Sequence, residues 1–300
     1  MDSPDRLAAD RREAGARVVV TAPVHPPAGE PRCLNCGETL HGAFCAACGQ
    51  RSVPANPTVS ELAGDAWQEL SGYDGRIAAT FRGLLHPGKL TIEYVQGRRA
   101  RYLPPVRLYL IASVVYFIAA AAAPESQSGL RVWNDSDRGN VQLTAGDRAA
   151  LEADLASRPW PVRVLLRSIA EDPAAFRARL FTIMPRVFFG MLPVFAGIFW
   201  LFYRRRRFPT VLVFAAHLHA FAFLVFSISE AAKLSEVPAM TTPIGVIALA
   251  TVATYAVRAQ KAVFGAGWPM TLAKTAAIGM LYLISLIPAF MIVLLWASMV

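Results

Sequence analysis

All four cysteines of the chain fall in two CxxC pairs, Cys33-Leu-Asn-Cys36 and Cys45-Ala-Ala-Cys48, separated by eight residues. Each pair can wrap two thiolates onto one tetrahedral ion, so the spacing predicts a four-thiolate Zn²⁺ knuckle over residues 31–51. Gly37 and Gly49 each follow the second cysteine of a pair, where such turns need a positive φ. Four thiolates leave no open coordination position, and the metal's role is therefore structural. The bland alternative is four unrelated reduced cysteines. Rubredoxin-like iron is the other donor chemistry for this set, and it ranks below zinc because the remaining residues build no second redox centre. Thiolates that hold metal imply a reducing compartment.

Two further sets could do chemistry. His217 and His219 lie in an apolar stretch and, at i and i+2, point about 200° apart on a helix, so one helix face cannot present both to one metal. Each is read as an interhelical hydrogen-bonding residue in preference to a proton-handling one. His25, His41 and His86 lie outside the apolar stretches, which disfavours a buried haem. Lys89, Arg98, Arg99, Arg101 and Arg107 form a basic, aromatic run. Interfacial anchoring is the simple reading, and a pocket for a lipid headgroup or another anionic ligand is the sharper one. The apolar stretches carry no Asp or Glu in their interiors, which argues against a carboxylate-relay carrier. No phosphate-cradling Gly-rich loop, HExxH or GxSxG is present, and no catalytic residue is assigned.

The elements that must position these residues read as membrane. Hydrophobic residues make up 55% of the chain, 17 of them Phe, and mean hydropathy is +0.39. Residues 1–30 carry several acids and only a three-residue apolar run, and are expected to be a disordered leader with no secretory signal. Residues 57–104 read as cytoplasmic interfacial amphipathic helices and the basic run. They include a capping box at Thr58 and Glu61 with Val59, Leu62, Ala66 and Leu70 near one face. The transmembrane region, 105–300, has spans expected at about 106–123, 181–203, 210–229, 241–257 and 275–299. Between the first two lies an extracytoplasmic segment, 124–180, with a polar loop from Gly129 to Gly139, short amphipathic helices and an N-cap pair at Asp172-Pro173. Pro193 and Pro288 fall deep enough to kink their helices. Tyr94, Tyr102, Tyr109 and Trp200 fit an aromatic belt at headgroup level.

The formal net charge is +9. Arg98, Arg99, Arg101 and Arg107, residues 204–207, and Arg258, Lys261 and Lys274 all fall on one side of the membrane if the N-terminus is cytoplasmic, as the positive-inside rule requires. The eight Arg of residues 124–180 face eight acids and weigh little against this. Basic residues flank apolar runs instead of forming a basic domain, which excludes nucleic acid as the leading partner. The expected molecule is an all-α integral membrane helical bundle of about five spans with an N-terminal zinc-ribbon knuckle. Its expected role is non-enzymatic: an adaptor, assembly or regulatory factor whose partners are the bilayer, its anionic headgroups and a cytosolic protein at the knuckle. Self-association is compatible with it. A transporter or channel-like permease with a polar site around the third span is the rival reading.

The chain resembles an uncharacterised bacterial multispan membrane family of unknown function with an N-terminal zinc ribbon. The likeness is carried by Cys33 to Gly37, Phe44 to Gln50, Pro87-Gly88-Lys89, Tyr94, Gly97-Arg98-Arg99, Tyr102, Pro105, Arg107 to Leu110 and Ser113, by Val213 to Phe221, and by Val263-Phe264-Gly265 with Trp268. It spans most of residues 31–300. The resemblance implies the architecture and no biochemical activity.

Overall fold

The computed structural model describes residues 31–52, 58–59, 76–122, 145–235 and 238–299. The leader, most of the capping-box helix (Glu61, Leu62, Ala66, Leu70) and the polar loop from Gly129 to Gly139 lie outside the described residues. Nine helices are seen among those described: α1 (Ile77–Leu84), α2 (Lys89–Val95), α3 (Pro105–Ala122), α4 (Ala145–Ala156), α5 (Trp160–Glu171), α6 (Pro173–Phe202), α7 (Phe208–Ala232), α8 (Pro238–Phe264) and α9 (Trp268–Met299). Five of these, α3 and α6 to α9, are long and apolar enough to cross a membrane. The protein is thus an all-helical, multi-pass membrane protein with a four-cysteine cluster near its N-terminus.

Three spans are longer than the apolar stretches alone suggest. α6 starts at Pro173, where the Asp172 carboxylate accepts from the Ala175 N–H at 2.9 Å and Pro173 supplies a preset first turn. α8 runs through Arg258 and Lys261 to Phe264, and α9 begins at Trp268 and includes Lys274. Those cations therefore sit on helix ends and not in a loop. Backbone hydrogen bonding carries a helix past its last apolar residue whenever the flanking residues are good helix formers.

Contacts divide the chain into two compact units. The first comprises the chain up to Leu108 together with 205–218 and 252–277. In it α1 and α2 form a tight pair. The buried Thr80 hydroxyl donates to the Arg76 carbonyl and accepts from the Leu103 N–H, both at 2.8 Å. The turn between the helices is Gly88, with φ +81°, and a Cβ there would lie 3.1 Å from the Ala259 carbonyl and 3.0 Å from Val263. Only glycine allows both that backbone and that approach to α8. Tyr255 of α8 donates to the Leu84 carbonyl at 2.8 Å, capping the end of α1. The helix α2 was not foreseen, and it does not lie open at an interface: Leu90, Thr91 and Tyr94 are buried, and Tyr94 packs on Val213 of α7.

The second unit comprises 109–204, 219–251 and 278–300. Here α5 lays Leu165 and Ile169 on a core of Phe176, Leu180 and Ile183 from α6 with Val293 and Ala297 from α9. Arg167 of α5 clasps Glu152 of α4 at 2.5 and 2.9 Å. Tyr109 donates to the Phe188 carbonyl at 3.0 Å. Tyr94 and Tyr109 are both buried, so neither belongs to a headgroup belt, and their hydroxyphenyl groups are packing elements.

Candidate metal centre and its seat

The two CxxC segments fold as copies offset by twelve residues. In the first, the Cys33 N–H donates to the Glu38 carbonyl (2.7 Å), Gly37 to Cys33 (2.8 Å) and Leu40 to Pro31 (2.7 Å). In the second, Cys45 donates to Gln50, Gly49 to Cys45 and Ser52 to Ala43, all at 2.8 Å. Gly37 and Gly49 have φ of +81° and +69°, the left-handed turn that the sequence predicts. One antiparallel bridge closes each copy, Arg32 with Thr39 and Phe44 with Arg51. The repeated Cys-x-x-Cys-Gly-Glu/Gln pattern is the sequence signal of this duplication.

The duplication brings all four sulfurs together. Their Sγ atoms lie within 4.8 Å of one another, with Cys33 to Cys48 at 3.6 Å and Cys36 to Cys45 at 3.5 Å. These are far beyond a disulfide bond, which is about 2.05 Å. A regular tetrahedron with metal–sulfur bonds of about 2.3 Å puts its sulfurs about 3.8 Å apart. The cluster therefore fits a metal ion held by four thiolates. Burial opposes ionisation of Cys48, but hydrogen bonds from the Gln50 backbone N–H, the Asn35 side chain and the neighbouring thiols lower it, while the same thiol contacts raise Cys36, so the four sulfurs ionise as a set.

The knuckle is seated on the basic run. Gln50, buried, donates from Nε2 to the Gly97 carbonyl at 2.6 Å, and its Oε1 accepts from the Arg99 and Ala100 N–H groups, both at 3.0 Å. Glu38, its counterpart in the first copy, is exposed. Leu34, inside the first CxxC, presses on Gly97 (φ +86°) so closely that a Cβ there would come within 2.5 Å of Leu34 Cδ1. Sequence reasoning did not single out Gln50 for this role, nor Thr91 or Glu93.

The five basic residues of the expected anion pocket take separate tasks. Arg98 makes a bidentate pair with Glu93 (2.5 and 2.8 Å) and also donates to Gln96. That hydrogen bond, with the charges of Arg98, Lys89 and Arg101, holds the Glu93 carboxyl below its usual range and raises Arg98. Arg99 lies over the Tyr94 ring, 4.5 Å from its centroid. Lys89 and Arg101 are exposed, and Arg107 is half-buried. The two histidines part company as the helix geometry requires. His217 is buried with its Nδ1 3.0 Å from the Thr91 hydroxyl, while His219 Nε2 lies 3.2 Å from the Tyr282 hydroxyl, ringed by Phe195 and Tyr109.

A multi-pass helical membrane protein with a four-cysteine cluster able to hold a metal ion is the class these features define. Over residues 74–117, from just before α1 into α3, the chain is similar to a family described as "Protein of unknown function (DUF3667)". The match leaves out Cys33 to Cys48 and His217 to His219, so it is narrower than the likeness read from the sequence. Neither the curated proteins nor the solved structures yield a match.

Proposed function

We propose that the chain is a non-enzymatic regulatory or adaptor protein of the bacterial inner membrane, with its N-terminus cytoplasmic and a structural zinc ion at Cys33, Cys36, Cys45 and Cys48. The seating of the knuckle carries this reading. Gln50 fastens it to residues 97–100, a few residues ahead of Pro105, where α3 begins. A closed four-thiolate shell gives metal no free position for substrate, which suits scaffolding. The knuckle's outer side exposes Phe44 and His41 beside Arg32 and Arg51, aromatic rings next to two arginines that suit a cytosolic protein partner.

Charge supports the orientation. The unit that holds the knuckle also holds every residue of the basic clusters except Arg204. Of the cations in the expected outer segment, Arg167 is neutralised by Glu152 and Arg158 faces Asp154 at 3.4 Å. The bilayer's anionic headgroups are the second partner, met by Lys89 and Arg101. Neither histidine favours the permease reading, because each is engaged with a different hydroxyl. The test is metal analysis with quantitative capture from membranes, comparing wild type, Phe44→Ala and Cys45→Ser/Cys48→Ser. One zinc per chain, and a partner lost in both variants while Phe44→Ala keeps its zinc, is the expected result. Identical partners in all three sink the adaptor reading.

A further inference from the structure

We propose that metal binding at the four cysteines clamps the basic turn, residues 97–101, from the side opposite α2, so that metal loss loosens that turn. This rests on the reading that the cysteines hold zinc, and it assigns the site a regulatory task that a free module would not have.

The knuckle is about twenty residues long, too small to sustain a fold by burial alone, so its turns depend on the ion that ties the thiolates. Cys33 and Cys45 are buried, while most of the side chains between the cysteines face outward. Both contacts to the turn spring from backbone that the metal shapes. Gln50 follows the Gly49 turn, and its own carbonyl accepts from the Cys45 N–H at 2.8 Å. Leu34 sits between two ligands, Cys33 and Cys36, and covers Gly97. With the ion gone, neither residue has a fixed backbone from which to reach the turn.

The turn is held from its other side as well. Arg98 reaches back to Glu93 of α2, and Arg99 donates to the Tyr94 carbonyl at 3.4 Å while covering that ring. Thr91, one helical turn before Val95, binds His217 of α7. A continuous set of contacts therefore leads from the thiolates through Gln50, the turn and α2 to the third span, all inside one compact unit. Its first link is the one that depends on metal. Releasing it would leave a segment bearing Arg98, Arg99 and Arg101 held from the α2 side alone, directly ahead of the first span.

Hydrogen–deuterium exchange on the full chain in nanodiscs tests this, with zinc measured on every sample. The Arg99 and Ala100 amides both donate to Gln50 Oε1, so they report the clamp. Chelating zinc from the wild type should speed their exchange by at least about tenfold, the change that ~1.4 kcal/mol of local stability gives. Gln50→Ala should do the same while keeping one zinc per chain, and the Leu108 amide, bonded to the Pro104 carbonyl, should not respond. Zinc that is bound and removed with no change at Arg99 and Ala100 overturns the clamp and leaves the zinc reading standing. A wild-type chain that binds no zinc overturns both. The chelation arm uses the unaltered sequence, so the outcome does not depend on how well Gln50→Ala folds.

Discussion

Replacing Thr91 by Val removes one hydroxyl at nearly constant volume, so it isolates a single hydrogen bond. Thr91 is fully buried, and its partner, His217 Nδ1 at 3.0 Å, is buried too. No cavity opens, and the cost is that of an imidazole nitrogen left without a partner, about 1–3 kcal/mol by general experience with buried polar groups. Hydrogen bonds between membrane helices average nearer ~0.6 kcal/mol, because the unfolded state in the membrane also finds partners. Thr91 sits on the short helix α2, outside the spans, so the expected loss is between these, about 1–2 kcal/mol. At about 2–4 °C per kcal/mol, the midpoint of thermal unfolding in mixed micelles should fall by about 2–8 °C. The double variant Thr91→Val/His217→Leu should be less destabilised than the two single losses added, since removing both polar partners leaves neither bare. Additive losses, or a Thr91→Val protein as stable as the wild type, would refute the assignment of His217 to holding α2 on α7. A histidine that serves transport would instead show lost flux at unchanged stability.

Three other outcomes follow from single residues. Gly97→Ala places a Cβ 2.5 Å from Leu34 Cδ1 in a left-handed backbone that costs other residues about 1–2 kcal/mol, and zinc release to a chelator should quicken severalfold. Gly88→Ala should destabilise more than Gly265→Ala in chemical unfolding: both have positive φ, but only Gly88 faces α8, with the Ala259 carbonyl 3.1 Å away. The Glu93 carboxyl is held below its ordinary 4.5 chiefly by its hydrogen bond from Arg98, so its contribution is complete above that value and is lost as pH falls through the lowered one. Glu93→Gln should cost about 1 kcal/mol near pH 7, the pair being partly exposed, and the difference from wild type should shrink below pH 4.5, compared at equal zinc content.

What the sequence made legible is what local chemistry decides. The CxxC pairs with their glycines set the knuckle, uninterrupted apolar stretches set five spans, and Asp172-Pro173 set the start of α6. Burial against distant segments was not legible. Thr91 and Tyr94 look like surface residues of an interfacial piece, and only Val213 and His217, more than a hundred residues away, make them interior. Gln50 is one polar residue in a turn, indistinguishable from its exposed counterpart Glu38 until residues 97–100 come alongside. Tyr109 matches an aromatic belt by position, yet its hydroxyl goes to the Phe188 carbonyl. In each case side-chain type gave the capacity for a hydrogen bond, and tertiary contact chose the partner.

The same division separates the roles of the basic residues. An anion pocket needs several uncompensated donors converging on one point, and Arg98 is already matched to a carboxylate in fork geometry. Its charge is spent inside the protein. Lys89 and Arg101 are exposed at the two ends of the same segment, and within it the proposed contact with phosphate headgroups falls to them. Near an anionic surface each is worth about 1 kcal/mol. Lys89→Gln/Arg101→Gln should therefore weaken enrichment of anionic lipid around the reconstituted protein by about 2 kcal/mol at low salt, with unfolding unchanged. Arg98→Gln should do the reverse, lowering stability and leaving lipid enrichment alone. Native mass spectrometry or lipid-exchange measurements separate the two, and loss of lipid on Arg98→Gln at wild-type stability would restore the pocket and refute the fastening.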